Sequence, residues 1–167
     1  SPPPEELLWL YSVVQEVKPN KILEGGAGVT TAVMRLAAPN ASILSIDYAE
    51  PGSDWERQLN MLQTLGVRVW GLYPRPTELS LVDLFLLDSS AGIFPDGGLG
   101  HHLRGQALLA GLQFCRHNGI VAIHDTHRRI TKDVRAILSG IGQLVSQLGQ
   151  MSAYRLNLRW DIETGKR

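Results

Sequence analysis

The sequence has little of what marks several classes of protein. Cys115 is the one cysteine among 167 residues, which excludes an internal disulfide and a metal cluster built from several thiolates. Lysine plus arginine and aspartate plus glutamate both number 16, so no basic excess indicates a nucleic-acid partner. No apolar run approaches the roughly 18 residues that a membrane span needs. These absences favour a cytoplasmic protein that binds neither nucleic acid nor a membrane.

Length and composition predict a single domain over residues 1–167. A hydrophobic fraction of 44% and a charged fraction of 19% are typical of globular proteins, and the length is that of one ordinary domain. The first residues are acidic, at Glu5 and Glu6, where a signal peptide would be basic.

Segments with helical spacing alternate along the chain with short apolar runs. The spacing predicts helices over 7–17, 30–38, 53–65, 103–116 and 131–148. The apolar runs predict strands over 21–24, 42–47, 67–72, 81–88, 120–124 and 154–160. Since parallel neighbours need helical crossovers, this order predicts an α/β fold of the Rossmann-like, doubly wound type. We expect a mainly parallel sheet with helices on both faces and an antiparallel edge strand at the C-terminus.

A glycine-rich turn joins the first predicted strand to the next helix. Its residues are Glu24, Gly25, Gly26, Ala27 and Gly28, and Thr30 and Thr31 open the helix. Glycines let the backbone approach a ligand closely, and the free N–H groups of the helix point to the same place. Asp47 ends the next strand, 19 positions beyond Gly28, where an acid suits the hydroxyls of a ribose. The pattern predicts a nucleoside-bearing cofactor.

The details of the turn argue against a dinucleotide. The dinucleotide fingerprint needs a third glycine where this chain has Thr31. Glu24 would repel a pyrophosphate but suits a cationic ligand. A glycine-rich turn without any cofactor is the other alternative that the pattern leaves open.

Acids are predicted at the carboxyl ends of four strands, which is where ligands bind in such sheets. They are Glu24, Asp47, Asp88 and Asp125. Residues 89–102 contain four glycines and are too long for a plain connection, so they are interpreted as a lid over a substrate or as a surface loop.

Glu24-x-Gly26-x-Gly28 followed by Thr30 and Thr31 resembles motif I of the class I S-adenosylmethionine-dependent methyltransferases. Residues 82–88 and 119–125 look like the family's fourth and fifth strands, and the chain is most similar to the small-molecule O-methyltransferase-like branch. The resemblance implies S-adenosyl-L-methionine as the cofactor and a small-molecule acceptor methylated on oxygen. It places the cofactor against residues 24–28, Thr30, Thr31, Asp47, Tyr48 and Asp88, with Tyr48 at the adenine.

The resemblance also implies the residues that carry the chemistry. Asp88, His124, Asp125 and His127 are the catalytic candidates, because an oxygen nucleophile must lose its proton to a base or through a bound cation. In the metal-dependent members, acids that match Asp88 and Asp125 hold a divalent cation such as Mg²⁺.

The chain departs from the family pattern at several places. Thr126 stands where the metal-dependent members have a ligating asparagine, and no acid directly follows the third strand. Little sequence is left for the usual last hairpin. Two other classes stay open, an NAD-type Rossmann-like enzyme and a non-catalytic binding module with this fold. The oligomeric state is also open, and a homodimer is one option.

Overall fold

The computed structural model describes residues 2–47, 49–70, 81–88, 104–124 and 132–158. Helices and strands alternate along most of these residues, as the sequence predicts, and the last two strands follow one another directly. The helices are α1 (Pro4–Val17), α2 (Val29–Ala37), α3 (Asp54–Gln63), α4 (Arg104–Leu112) and α5 (Lys132–Ile141). The strands are β1 (Lys21–Gly25), β2 (Ser42–Ile46), β3 (Arg68–Trp70), β4 (Val82–Leu87), β5 (Cys115–Ile123), β6 (Gly142–Leu148) and β7 (Met151–Leu156).

The strands form one sheet in the order β3-β2-β1-β4-β5-β7-β6. The first five strands of this order pair in parallel, and β7 runs antiparallel to both of its neighbours. The chain moves outward from β1 to β3 and then returns to place β4 beside β1. The switch point where a doubly wound sheet binds its ligand therefore lies between β1 and β4. The prediction of a mainly parallel, doubly wound sheet is confirmed.

Each face of the sheet carries its own apolar core. Leu84 and Leu86 of β4 belong to the core under α1, α2 and α3, whereas Phe85 and Leu87 belong to the core under α4 and α5. Successive side chains of a strand point to opposite faces, so a strand covered on both faces is apolar throughout. This explains the continuous apolar run of β4, and it confirms the prediction of helices on both faces.

The predicted helix over 131–148 is wrong in its second half. α5 ends at Ile141, and β6 begins at the next residue. Gly142 comes so close to β7 that a Cβ would lie 2.7 Å from the carbonyl oxygen of Arg155. Val145 and Leu148, expected on the apolar face of the helix, are 45% and 40% exposed. Their helical spacing is incidental, because pairing with β7 decides the conformation.

The end of the described chain differs from expectation in two further ways. The last strand is antiparallel as predicted, but it covers Met151–Leu156 and lies between β5 and the edge strand β6. It is therefore almost entirely buried, whereas a half-exposed edge strand was expected. A complete hairpin is present, turning at Gly149, whose φ of 55° favours glycine. The expectation of too little sequence for a hairpin is wrong, because the segment assigned to the long helix supplies its first strand.

No helix within the described ranges is both long and apolar enough to cross a membrane.

Two glycines of α4 offer a test of packing between this helix and the sheet. A Cβ at Gly111 would overlap the buried ring of Phe85, whereas a Cβ at Gly105 would meet open space. We expect Gly111→Ala to lower the free energy of unfolding by about 1–3 kcal/mol because the core is overpacked. Gly105→Ala should leave it unchanged or raise it by up to about 1 kcal/mol. Urea unfolding of both variants measures the difference, and equal effects would contradict the packing of α4 on β4.

Candidate functional site

The register of the parallel strands brings four strand ends into one row. Gly25 of β1 is level with Ile46 of β2 and Leu87 of β4, and Leu87 is level with Ile123 of β5. The residues that follow these four are Gly26, Asp47, Asp88 and His124. They therefore lie side by side at the carboxyl edge of the sheet, across the switch point. Of the four acids predicted at this edge, Glu24, Asp47 and Asp88 lie at the ends of their strands. The fourth, Asp125, lies outside the described residues.

The carboxylate of Glu24 lies inside the protein and is fully buried. Thr30 donates its hydroxyl to Oε1 at 2.6 Å. Thr31 and Ser45 donate theirs to Oε2 at 2.6 and 2.5 Å. Ser45 is the residue of β2 that pairs with Glu24, so both side chains point to the same face. Glu24 therefore ties β1, β2 and the first turn of α2 together.

Burial in this position changes the proton affinity of Glu24. Loss of solvent raises the pKa of its carboxyl from 4.5 to about 7, although the three hydroxyl donors oppose the change and the negative charge of Asp88 adds to it. The group is thus close to its titration point near neutral pH.

The glycine turn is hydrogen-bonded to the end of the neighbouring strand, β2. Gly26, whose φ of 95° favours glycine, donates its N–H to the carbonyl of Ile46 at 2.9 Å. Ala27 donates its N–H to Oδ2 of Asp47 at 2.8 Å. Gly28 donates its N–H to the Thr31 hydroxyl at 2.9 Å, and a Cβ on Gly28 would meet nothing within 4 Å. These hydrogen bonds fix the conformation of the turn, and the space beside Gly28 stays open.

Asp47 has two kinds of contact. One carboxylate oxygen holds the turn at Ala27, and the other lies 3.4 Å from the indole nitrogen of Trp55 on α3. The side chain is only partly buried, so an acidic group remains at the end of β2, as predicted. Tyr48, the predicted adenine contact, lies outside the described residues.

His124 lies between two carboxylates. Its Nδ1 is 2.7 Å from Oδ1 of Asp88, and its Nε2 is 3.1 Å from Oε2 of Glu6 on α1. Asp88 is also anchored through its backbone, since its N–H donates to the carbonyl of Gly25 at 2.9 Å. Two of the predicted catalytic candidates, Asp88 and His124, are therefore brought together. His127, with Asp125, lies outside the described residues, as does the whole of the predicted lid over 89–102.

The described residues do not by themselves form a site for the divalent cation that the resemblance implies, and Asp125 lies outside them. Among them, no group of three or more His, Cys, Asp or Glu side chains is arranged to hold a metal ion. Oδ1 of Asp88, one of the two predicted ligands, is already in contact with a ring nitrogen of His124. We therefore derive no catalytic step through a metal.

Sequence reasoning missed two residues of this region. Ser45 interrupts the apolar run of β2, and a polar residue within a buried strand indicates a partner inside the protein. Glu6 lies on the same helical face as Leu10 and Val13, and an acid on that apolar face likewise indicates a partner inside the protein. Both signals are present in the sequence, but neither identifies the partner.

The buried carboxyl of Glu24 predicts a pH dependence of stability. Because the folded chain holds this proton more tightly than the unfolded chain, the free energy of unfolding falls as the pH rises from about 4.5 to about 7. The rise in pKa corresponds to roughly 3 kcal/mol, at about 1.4 kcal/mol per pKa unit. Glu24→Gln removes this contribution, so its stability relative to the wild type should increase by that order over the same pH interval.

Urea unfolding at a series of pH values measures the Glu24 effect. Glu5→Gln is the matched control, because Glu5 is exposed on α1. Parallel pH curves for the wild type and Glu24→Gln would contradict the assignment.

Comparisons with known proteins add the fold family. No family model and no curated protein match the chain. Solved structures do match. The O-methyltransferase TomG from Streptomyces achromogenes, in complex with S-adenosylmethionine, has a TM-score of 0.65 at 13% identity, covering 94% of this chain and 82% of that one. The S-adenosylhomocysteine-bound methyltransferase PaMTH1 from Podospora anserina has a TM-score of 0.63 at 16% identity, covering 94% and 80%.

A third matching structure is that of an enzyme named for a different acceptor atom, nitrogen. The N-methyltransferase NodS from Bradyrhizobium japonicum has a TM-score of 0.62 at 15% identity, covering 92% of this chain and 95% of that one. At 13–16% identity, the likeness to these three structures is one of overall fold. The chain has the fold of the class I S-adenosylmethionine-dependent methyltransferases.

Proposed function

We propose that this protein transfers a methyl group from S-adenosylmethionine to a small molecule, with oxygen as the acceptor atom. The observation that carries the proposal is the row at the switch point, where a fixed glycine turn lies beside an acid on each flanking strand. Structures of the same fold with S-adenosylmethionine or S-adenosylhomocysteine bound support this choice of cofactor. The O-methyltransferase TomG supports oxygen, and NodS makes nitrogen the alternative to test.

The described residues suggest how the cofactor is held. Asp47 accepts the ribose hydroxyls, since it ends β2 and stays partly exposed. The turn from Gly25 to Gly28 receives the methionine end, where the absence of a Cβ permits close approach. Glu24 acts beneath the turn rather than on the ligand, because its carboxylate is enclosed by three hydroxyls. Thr30 and Thr31 serve through that same network.

The chain's main contribution to the reaction is alignment. The bound cofactor supplies a methyl group on a positively charged sulfur, which leaves as a neutral thioether when the acceptor oxygen takes the methyl carbon and gives up its proton. Holding acceptor and methyl group in line removes most of the entropic cost of bringing them together. Asp88, at the end of β4, lies beside the turn, since its backbone N–H donates to the carbonyl of Gly25.

The proton of the acceptor needs a base, and four residues were predicted as candidates for this role. Both ring nitrogens of His124 are engaged by carboxylates, so this side chain has no free nitrogen to take a proton. We assign His124 to holding Asp88. Asp88 itself, Asp125 and His127 remain the proposed groups for proton removal.

Thermal unfolding with S-adenosylmethionine, S-adenosylhomocysteine or NAD⁺ tests the cofactor. A ligand at about 100 times its dissociation constant adds roughly 2.7 kcal/mol, which raises the melting temperature by about 5–10 °C in a domain of this size. We expect a shift with both adenosyl ligands and none with NAD⁺. A shift with NAD⁺ alone would contradict the proposal in favour of a dinucleotide enzyme.

Asp47→Asn tests the ribose contact. Asparagine keeps an oxygen for the N–H of Ala27 but loses the charge, so the affinity for S-adenosylhomocysteine should fall by about tenfold, the usual effect of losing a hydrogen bond to a charged group. Calorimetric titration measures the affinity. Asp54→Asn is the matched control, because Asp54 is exposed on α3. Equal affinities for the two variants would remove Asp47 from the site.

Methyl transfer itself is tested with a labelled cofactor and a mixed set of small phenols, alcohols and amines. Label on oxygen supports the full proposal, and label on nitrogen alone overturns the choice of acceptor atom. Cofactor binding without transfer to any compound would favour a binding module that has kept the fold.

A further inference from the structure

Glu6 is a charged residue on the buried face of α1. Its side chain is about 4% exposed, and it lies one helical turn before Leu10, which is fully buried. A carboxylate in such a place costs free energy unless it is hydrogen-bonded. Its contacts are therefore the reason it is tolerated.

Those contacts join three elements that are far apart in sequence. Oε1 of Glu6 accepts the backbone N–H of Gln150, in the turn between β6 and β7, at 2.6 Å. Oε2 lies 3.1 Å from Nε2 of His124, at the end of β5. The carboxylate also packs closely on this turn, because a Cβ at Gly149 would overlap Oε1 of Glu6. The carboxylate is thus fixed at both oxygens.

Contacts at both ends also fix the ring of His124. Ionised carboxylates accept hydrogen bonds and donate none. With Glu6 at one ring nitrogen and Asp88 at the other, a ring that carries both protons donates to both carboxylates. The ring then bridges α1 and β4 as a rigid link, and a displacement of the Glu6 carboxylate would be passed to Asp88.

We propose that Glu6 is a positioning residue of the site at the carboxyl edge, acting on Asp88 through His124. Its importance for methyl transfer rests on the proposed function. The link itself is a property of the folded chain without ligand. It gives α1, an element outside the glycine turn and the strand ends, a direct contact with the row of site residues.

The contacts of His124 with Glu6 and Asp88 are tested in ligand-free protein, in buffer containing EDTA. Proton–nitrogen NMR correlations of the histidine rings are recorded for ¹⁵N-labelled wild type, with His124→Gln used for assignment. We expect two ring N–H signals from His124, both exchanging slowly with water. A single ring N–H signal from His124 would overturn the proposal without the need for any variant.

Glu6→Gln then separates positioning from a purely structural role. Glutamine keeps the shape and an oxygen for the N–H of Gln150, so the fold should be retained, but the charge beside Nε2 is lost. We expect the Nδ1–H signal, which faces Asp88, to shift and to exchange about tenfold faster with water. In Glu5→Gln, the exposed neighbour, that signal should be unchanged. A lower melting temperature with an unchanged Nδ1–H signal would overturn the proposal and leave Glu6 a structural anchor.

Binding of S-adenosylhomocysteine to the same samples keeps the two proposals apart. Glu6 has no contact with residues 25–28 among its described bonds, so we expect Glu6→Gln to bind within about twofold of the wild type. A loss of affinity of tenfold or more, in a variant that stays folded, would contradict a role confined to His124 and Asp88. Wild type that binds no adenosyl ligand but shows both ring signals would refute the proposed function and leave the link standing.

Discussion

The arrangement of the site depends on one buried acid, Glu24. Its three hydroxyl partners come from the neighbouring strand and from the first turn of the following helix. Together they set the angle at which α2 leaves the sheet, and hence the shape of the turn between them. The hydroxyl of Thr31 extends this control, since it donates to Glu24 and accepts the N–H of Gly28. A cofactor would thus meet a turn whose form is already fixed, which limits the entropy lost on binding.

Acidic groups are concentrated at this edge of the sheet, and the chain supplies each with donors. Asp47 receives a backbone N–H, Glu24 receives hydroxyls, and Glu6 and Asp88 share one histidine. Donors of this kind reduce the mutual repulsion of carboxylates that the strand ends bring close together. The remaining negative character suits a ligand that carries positive charge, such as a sulfonium.

Local features of the sequence could be predicted, and distant pairings could not. The β1–turn–α2 unit, the acids after β2 and β4 and the apolar run of β4 each depend on neighbours within a few positions. Ser53 is similar, since its hydroxyl accepts the N–H of Glu56, only three positions away, at the start of α3. β6 was mistaken for helix because its conformation depends on β7. Glu6 was overlooked because its partner Gln150 lies 144 positions away, and no spacing rule reaches that far.

The edge strand β6 also affects how the protein behaves at high concentration. Its residues, Gly142–Leu148, include no charged side chain, and three of its large apolar side chains are exposed. Edge strands are usually protected by charge, proline or a bulge, because their outer backbone groups attract other extended chains. The register of β6 and β7 shifts between Leu144 and Ser146. Among the described residues, this bulge-like irregularity is the protective feature of β6. Along β6 itself, protection against such pairing therefore comes from a short distortion in the backbone rather than from charged side chains.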